Sequence, residues 1–222
     1  MSSECERSIM ELVRKICIVL LILLPVLFIA SIADGQIKPF KANATDKQKT
    51  ESVIYKNFVN ECDLMIAYTR ENYWWHAKRY YSLLALNKGR WYRGYLFSEQ
   101  LKSGKWTYPK IRFEEVDADS AMAMIGYLNK AGLYTLSQDS LNIDTKIVDE
   151  DKVRKFSVSD GVNYKFEILY KNELAIVEAY SPEYLLSKLP EIKTREAFIK
   201  CRDWFVRKYD ELEPIGEYHL SY

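Results

Sequence analysis

An apolar stretch from Ile16 to Ala33 constrains this chain more than any other feature of its sequence. It contains 18 residues without a charge, and Arg14 and Lys15 precede it directly. That length is at the lower limit for crossing a bilayer core of about 30 Å. As a helix inside a cytosolic domain, the stretch would need apolar neighbours on all sides, which so small a protein does not supply. The sequence therefore predicts export.

Two interpretations of the stretch remain open. A signal peptide is favoured by the short apolar core, by the small-residue pattern Ser31-Ile32-Ala33 and by Pro25, which would kink a spanning helix. The alternative is an uncleaved membrane anchor. In both interpretations residues 1–35 form the signal peptide or N-terminal anchor, residues 36–50 form a polar linker, and residues 51–222 form a single domain. We expect that domain to be periplasmic or extracellular, with membrane contact only through an uncleaved N-terminal segment.

The composition bounds what this domain can be. Removing the leader from the 222-residue chain leaves about 187 residues, which is enough for one domain with a proper core. The 17 tyrosines and the aromatic content of 14% argue against disorder. A net charge of +1 gives no argument for a nucleic-acid partner, and export disfavours one. No nucleotide or cofactor motif is present, so no cofactor is predicted.

Two cysteines, Cys62 and Cys201, remain in the exported part of the chain. In an oxidising compartment they are the number needed for one disulfide, which would close a long loop and stabilise the fold by roughly 4 to 5 kcal/mol. The alternative is a pair of buried free thiols that pack as small hydrophobic side chains. Neither interpretation makes them catalytic.

The hydrophobic periodicity predicts an α+β fold, in which an antiparallel sheet of about six strands is covered by amphipathic helices on one face. The strands form two three-stranded runs. The first contains Tyr80 to Asn87, Arg90 to Ser98 and Ile111 to Val116, and the second contains Phe156 to Val158, Tyr164 to Tyr170 and Leu174 to Tyr180. The helices are predicted from about Asp46, at Asp119 to Ala131, at Pro182 to Leu189 and at Arg195 to Leu212.

Several local signals refine this prediction. Asp117 or Asp119 is expected to cap the central helix, which Gly132 should end, and Thr194 is expected to cap the last helix. Lys165 and Glu167 alternate with large apolar side chains, which is typical of a strand with one solvated face. The stretch from Leu64 to Thr69 is compatible with either the first helix or a strand. Residues 136–152 are acidic and lack periodicity, so a surface connection is expected there.

The stretch from Tyr68 to Tyr108 is the most distinctive candidate surface. It holds four of the five tryptophans together with eight basic and only two acidic residues. Exposed aromatic rings stack on sugars, and basic neighbours favour anionic polymers. This interpretation assigns binding of an envelope glycan or another polyanion to Trp74, Trp75, Arg90 and Arg93. The alternative is that the rings fill the core while the charges form its solvated face.

Catalysis and metal binding have few candidate residues. His76 has no nucleophile motif beside it, and His219 lies close to the C-terminus. Glu115 and Asp117 are the most plausible carboxylate pair for a glycosidase, but such pairs are common. The acidic residues of positions 139–151 lack the spacing and the glycine of an EF-hand, so no metal site is predicted.

These observations predict an exported, non-catalytic binding module for an envelope component or a protein partner. The first alternative is a hydrolase of envelope polysaccharide or peptide, which requires a cleft lined by His76 or by paired carboxylates. The second alternative is a membrane-anchored accessory subunit that keeps its apolar segment.

Overall fold

The computed structural model describes residues 41–72, 77–149 and 152–218. The strands of these residues are β1 Leu64–Asn72, β2 Lys78–Asn87, β3 Arg90–Glu99, β4 Lys110–Val116, β5 Thr145–Asp149, β6 Lys152–Lys155, β7 Val162–Tyr170, β8 Glu173–Tyr180 and β9 Pro214–Tyr218. Their helices are α1 Asp46–Glu51, α2 Val53–Phe58, α3 Ala118–Ala131, α4 Gln138–Leu141, α5 Pro182–Lys188 and α6 Lys193–Tyr209, with a 3₁₀ turn at Leu133–Thr135.

Seven of the strands form one antiparallel sheet in the order β8-β7-β1-β2-β3-β4-β9. The prediction of an α+β fold with antiparallel strands is confirmed. The first predicted three-stranded run is present as β2-β3-β4, but the second is wrong in its first strand: Phe156 to Val158 is not a strand, and β1 lies between β7 and β2 and joins the two runs. The remaining two strands, β5 and β6, form a separate hairpin within the stretch that was expected to be a plain connection.

Helices cover both faces of the sheet, so the expectation of cover on one face is wrong. Ile54 and Phe58 of α2 pack on alternate residues of the central strands, such as Met65 and Leu83. We call this side the α2 face. On the other side Phe205 of α6 contacts Tyr68 of β1, and we call this side the α6 face. Helices α3 and α5 both pack against α6.

Local signals set the ends of several helices. Asp117 caps α3 by accepting a hydrogen bond from the Ser120 backbone N–H at 2.8 Å, and Gly132 ends that helix with φ of 91°. Both features were predicted and are confirmed. Thr194 is not the cap of α6, because the helix begins at Lys193 and Ile192 holds the N-cap position without a side-chain bond.

The first predicted helix is two short helices. Thr45 and Gln48 form a capping box at the start of α1. Ser52 caps α2 by accepting from the Tyr55 N–H at 2.9 Å. The chain then leaves helical geometry before β1, so the ambiguous stretch that begins at Leu64 is a strand.

The hydroxyl of Tyr209 enters the ladder between β2 and β3. It accepts a hydrogen bond from the Leu83 N–H at 3.3 Å and donates one to the Gly94 carbonyl, and these two residues lie opposite each other in the register. A side chain at position 94 would meet the Phe113 ring and lie 2.7 Å from the Arg112 carbonyl oxygen. Gly94 therefore makes room for the Phe113 ring on the α2 face, opposite to the side from which Tyr209 approaches.

Side-chain amides occupy the edge of the sheet at β8. Asn43 donates to the Ile176 carbonyl and accepts from the Ile176 N–H, both at 2.7 Å. Gln138 bonds the N–H and carbonyl of Glu178 in the same way, at 2.8 and 2.9 Å. These amides take the place of a further strand, which blunts an edge that would otherwise invite pairing with another chain.

The two cysteines are free thiols in the structure, and they lie on opposite sides of the sheet. Cys62 packs against the core of the α2 face, whereas Cys201 is buried on α6. Burial raises the pKa of each thiol to about 12, so both are protonated and unreactive at neutral pH.

Within the described residues no helix is both long and apolar enough to span a bilayer. The Ile16 to Ala33 stretch lies outside those residues, so the predicted signal peptide or anchor stays a prediction.

Candidate functional site

The predicted aromatic site is dispersed where the structure describes it. Trp74, Trp75 and His76 lie outside the described residues. Trp91 is buried in the core. Trp106 is half-buried, and the Arg79 guanidinium lies over its ring at 4.1 Å from the centroid.

Arg90 and Arg93 do not form a common surface. They are three residues apart on β3, so their side chains leave the sheet on opposite faces. Arg90 is exposed and lies 3.7 Å from a Glu115 carboxylate oxygen. Arg93 pairs with Glu114 at 2.9 Å and donates to the Leu212 carbonyl, so it ties the chain that follows α6 to the sheet.

A different set of side chains from the same part of the chain forms an exposed surface. Helix α6 covers its face of the sheet as far as Tyr95, whose ring meets the Tyr209 ring edge-on at 5.4 Å. Beyond that contact, β2, β3 and β4 continue and present aromatic and basic side chains. We define these residues as the aromatic–basic surface: Tyr80, Tyr95, Phe97, Lys110 and Arg112.

The strand register arranges these residues in two rows. Tyr80, Phe97 and Lys110 are directly opposite one another across the three strands, and Tyr95 and Arg112 are opposite each other in the next row. The Tyr80 and Phe97 rings lie 4.7 Å apart with a tilt of 34°. Tyr80 is 60% exposed and Tyr95 is 44% exposed. Aromatic rings thus occupy β2 and β3, while cations occupy β4.

The surface carries two cations, Lys110 and Arg112, and the carboxylates of Glu99 and Glu114 flank it on the same face of β3 and β4. From Gln100 to Phe113 the sequence contains four basic residues and no acidic one. Lys110 is exposed. Arg112 contacts Glu114 at 3.0 Å, yet most of its side chain is in solvent. Desolvation by the neighbouring residues raises the pKa of Tyr95, so its hydroxyl is neutral at physiological pH and adds no negative charge.

A buried polar cluster on the α2 face was missed by the sequence interpretation. Glu167 was expected on a solvated face, but only 1% of it is exposed. Its carboxylate accepts hydrogen bonds from Ser52 and, at 3.2 Å, from the Tyr81 hydroxyl, and it pairs with Lys165 at 3.0 Å. The prediction of one solvated face for β7 is wrong because α1 and α2 cover that side, which the local pattern does not reveal.

This cluster has the character of a structural linkage. Burial by itself would lower the pKa of Lys165, but Tyr81, Glu167 and Glu71 outweigh burial and raise it. Lys165 is therefore held as a cation and does not offer the free amine that a nucleophile or general base needs. The cluster joins the N-cap of α2 to β7, since Ser52 also caps that helix.

The residues proposed for hydrolysis are engaged in local contacts. The Asp117 carboxylate caps α3, and hydrogen bonds from Ser120 lower its pKa. Glu115 faces Arg90. Among the described residues no group of three or more histidine, cysteine, aspartate or glutamate side chains is placed to hold a metal ion.

A polar groove of about 490 Å³ lies along β8. Its walls include Asn43 and Gln138, whose amides are already bound to the strand backbone. The Thr135 hydroxyl, also in the wall, donates to the Gly132 carbonyl at 3.0 Å. These three side chains are satisfied within the fold, whereas the buried Tyr134 hydroxyl in the same wall has no hydrogen-bond partner among the described residues.

Sequence reasoning pointed to the stretch that contributes most of the aromatic–basic surface, but to other residues within it. The high aromatic and basic content pointed to positions 68–108, and Tyr80, Tyr95 and Phe97 lie inside it. Their exposure depends on where α6 ends over the sheet, and that is not a local property. Lys110 and Arg112 lie just beyond the stretch, although their spacing of two residues on a strand places them on one face.

The chain was compared with known proteins at the level of sequence and of structure. No protein-family model matches it, and neither a curated protein nor a solved structure shows significant similarity to it.

Proposed function

We propose that this protein is an exported, non-catalytic binding module for an envelope component, and that it binds through the aromatic–basic surface. The observation that carries the proposal is the pair of rings, Tyr80 and Phe97, in contact with each other on an uncovered part of the sheet beside Lys110 and Arg112. Large aromatic side chains are usually buried. Here the Tyr80 ring packs against Phe97 and is still 60% exposed, and Tyr95 is exposed in the next row, with Lys110 and Arg112 beside them, which suits a partner that has both apolar and anionic groups.

The export half of the proposal rests on the Ile16 to Ala33 stretch and its small-residue pattern. The proposal that the protein is not catalytic rests on the protonation states and contacts of the candidate catalytic groups. Lys165 is held as a cation, both thiols are protonated, and Asp117 is used as a helix cap. A protein partner with an acidic surface and the accessory-subunit interpretation are the alternatives, and the protease treatment in the test below addresses the first of them.

The test is retention of the purified exported domain on insoluble envelope material from the source organism. We expect the wild-type domain to sediment with the polysaccharide fraction. The Tyr80→Ala variant should bind about 10-fold more weakly, since stacking on an aromatic side chain is worth roughly 1 to 3 kcal/mol. Tyr184→Ala is the matched control, because Tyr184 is also an exposed tyrosine next to a lysine, 40% exposed on α5.

The outcomes separate the alternatives. Retention that survives protease treatment of the envelope material and falls only for the Tyr80 variant supports the proposal. Loss of retention after protease treatment would replace it with a protein partner. Equal retention of the two variants would refute the assignment of this surface.

A further inference from the structure

The polar groove along β8, which we call the β8 groove, is large enough for a small ligand. Its volume of about 490 Å³ lies within the roughly 300 to 1,000 Å³ of typical ligand sites. Residues 41–48, residues 134–139 and strand β8 line it. Asn43 is bonded to the backbone of Ile176 and Gln138 to that of Glu178, and these two positions lie about 7 Å apart along the strand. Both walls are therefore fixed to the same strand before any ligand binds.

Three charged side chains that line the β8 groove have no counter-ion in the fold. They are Lys41, Asp139 and Glu178. Among the described residues, none of the three takes part in an ion pair. Glu178 accepts a hydrogen bond from the Asn163 amide at 3.3 Å. Lys165 lies opposite Glu178 in the register, but it is paired with Glu167 at 3.0 Å. The groove therefore presents one cation and two carboxylates that the fold does not neutralise.

This set of charges discriminates between classes of ligand. Two carboxylates and one ammonium group are complemented by a molecule with two cationic groups and one carboxylate. An isolated anion would meet two like charges, and a neutral sugar would cover the charged groups without pairing them, which is costly. Leu136 and Ile176 also line the groove, and their apolar surface suits the methylene stem of a lysine or arginine side chain. A short peptide with one basic side chain and free termini contains all of these groups.

We propose that the β8 groove is a second binding site, which takes a short basic peptide with free termini. The cationic groups of the peptide pair with Asp139 and Glu178, and its terminal carboxylate pairs with Lys41. This site goes beyond the proposed function, because the aromatic–basic surface lies on β2, β3 and β4, whereas β8 is the strand at one edge of the sheet. The two sites can therefore be tested separately.

Isothermal titration calorimetry of the full chain with the dipeptide glycyl-lysine tests the charge requirement. This dipeptide has two ammonium groups and one carboxylate. We expect it to bind, and we expect glycyl-lysinamide and glycyl-leucine to bind at least about 5-fold more weakly, since each lacks one of the charges that the groove pairs. Glycyl-glutamate has the opposite balance of charge and should bind more weakly than glycyl-lysine.

Variants then assign each contact. Asp139→Asn should weaken glycyl-lysine binding about 10-fold. Asp119→Asn is the matched control, because both residues are exposed aspartates in the first turn of a helix. Lys41→Gln should weaken the binding of glycyl-lysine but not that of glycyl-lysinamide, which has no carboxylate to pair with Lys41. All three positions are exposed, so an unchanged thermal transition checks that each variant is folded.

Four results would overturn the proposal. They are no binding of glycyl-lysine at millimolar concentration, tighter binding of glycyl-glutamate, equal effects of Asp139→Asn and Asp119→Asn, and an equal loss for both ligands in Lys41→Gln. The Tyr80→Ala variant should bind glycyl-lysine as the wild type does, and a loss there would place the peptide on the aromatic–basic surface and refute the groove site. The proposed function is tested by retention on envelope material, so it stands or falls independently of these titrations.

Discussion

Replacing Tyr209 by phenylalanine removes one oxygen atom from the middle of the sheet and leaves the ring in place. Tyr209 is almost fully buried. Its hydroxyl accepts from the Leu83 N–H at 3.3 Å and donates to the Gly94 carbonyl. The ring also meets the Tyr95 ring edge-on and stacks with Phe205, and these contacts survive the substitution.

The magnitude follows from the two bonds that are lost. A buried hydrogen bond contributes about 1 kcal/mol net, and Leu83 and Gly94 remain partners of each other in the strand ladder when the hydroxyl is gone. The 3.3 Å bond to Leu83 is long and therefore weak. We expect Tyr209→Phe to lower the free energy of unfolding by about 1 to 2 kcal/mol, which for a domain of this size is roughly 2 to 8 °C in the melting temperature.

Urea denaturation monitored by tryptophan fluorescence gives the free energy directly. The matched control is Tyr108→Phe, which makes the same chemical change at a residue that is 74% exposed. The control should stay within about 0.5 kcal/mol of the wild type. A loss below about 0.5 kcal/mol for Tyr209→Phe would refute the reasoning, since it would mean that the hydroxyl adds nothing to the bonds that Leu83 and Gly94 make with each other.

Two further outcomes are expected. The pKa of Tyr81 and of Tyr209 is raised, first by burial and then by Glu167 and Tyr95 respectively. A group whose pKa is higher in the folded state stabilises fully below its unfolded value, about 10 for tyrosine, and that stability is lost as the pH rises further. The urea midpoint of the wild type should therefore be steady from about pH 7 to 9 and fall above about pH 10. The fall should be smaller for Tyr81→Phe. An identical fall in that variant would contradict the assignment of part of the pH dependence to Tyr81. Gln138→Leu should lower the free energy of unfolding in urea by about 1 to 2 kcal/mol, because it leaves the N–H and carbonyl of Glu178 at the sheet edge without their partner. The exposed edge should also promote concentration-dependent self-association, measured by sedimentation. A monodisperse variant of wild-type stability would show that this edge needs no amide.

The parts of the fold that the sequence predicts are those set by neighbouring residues. The hairpin of β2 and β3 follows from Lys88-Gly89, where both residues have positive φ. The α3 helix follows from the Asp117 cap and the Gly132 stop. In each case the signal and the structure it specifies lie within a few residues of each other.

The parts that escape prediction depend on distant segments. Lys165 and Glu167 alternate with apolar residues as a solvated face would, yet α1 and α2, more than a hundred positions earlier, cover them. The buried charge of Glu167 is compensated by the polar cluster around it, which forms only in the folded chain. Nothing in the local sequence therefore marks Glu167 as buried. Likewise β1 becomes a central strand only because β7 returns beside it.

The candidate site likewise combines features set by neighbouring residues with features set by distant segments. Composition located the aromatic and basic stretch, but the side chains that share a surface are decided by register across β2, β3 and β4 and by the point at which α6 ends. Arg93 was a reasonable candidate by residue type. Its pairing with Glu114 and its bond to the Leu212 carbonyl are long-range contacts that only the fold reveals.

The central claim is that the aromatic–basic surface contacts the ligand, and hydroxyl-radical footprinting tests it most directly. Exposed aromatic side chains oxidise readily, so the oxidation rates of Tyr80 and Tyr95 show whether a ligand covers the surface. Tyr184 and Ile215 are exposed elsewhere and serve as internal references. With solubilised envelope polysaccharide present, the account predicts slower oxidation of Tyr80 and Tyr95 and unchanged oxidation of the two references. Slower oxidation of Tyr184 or Ile215 with Tyr80 unprotected would place the ligand elsewhere and contradict the account.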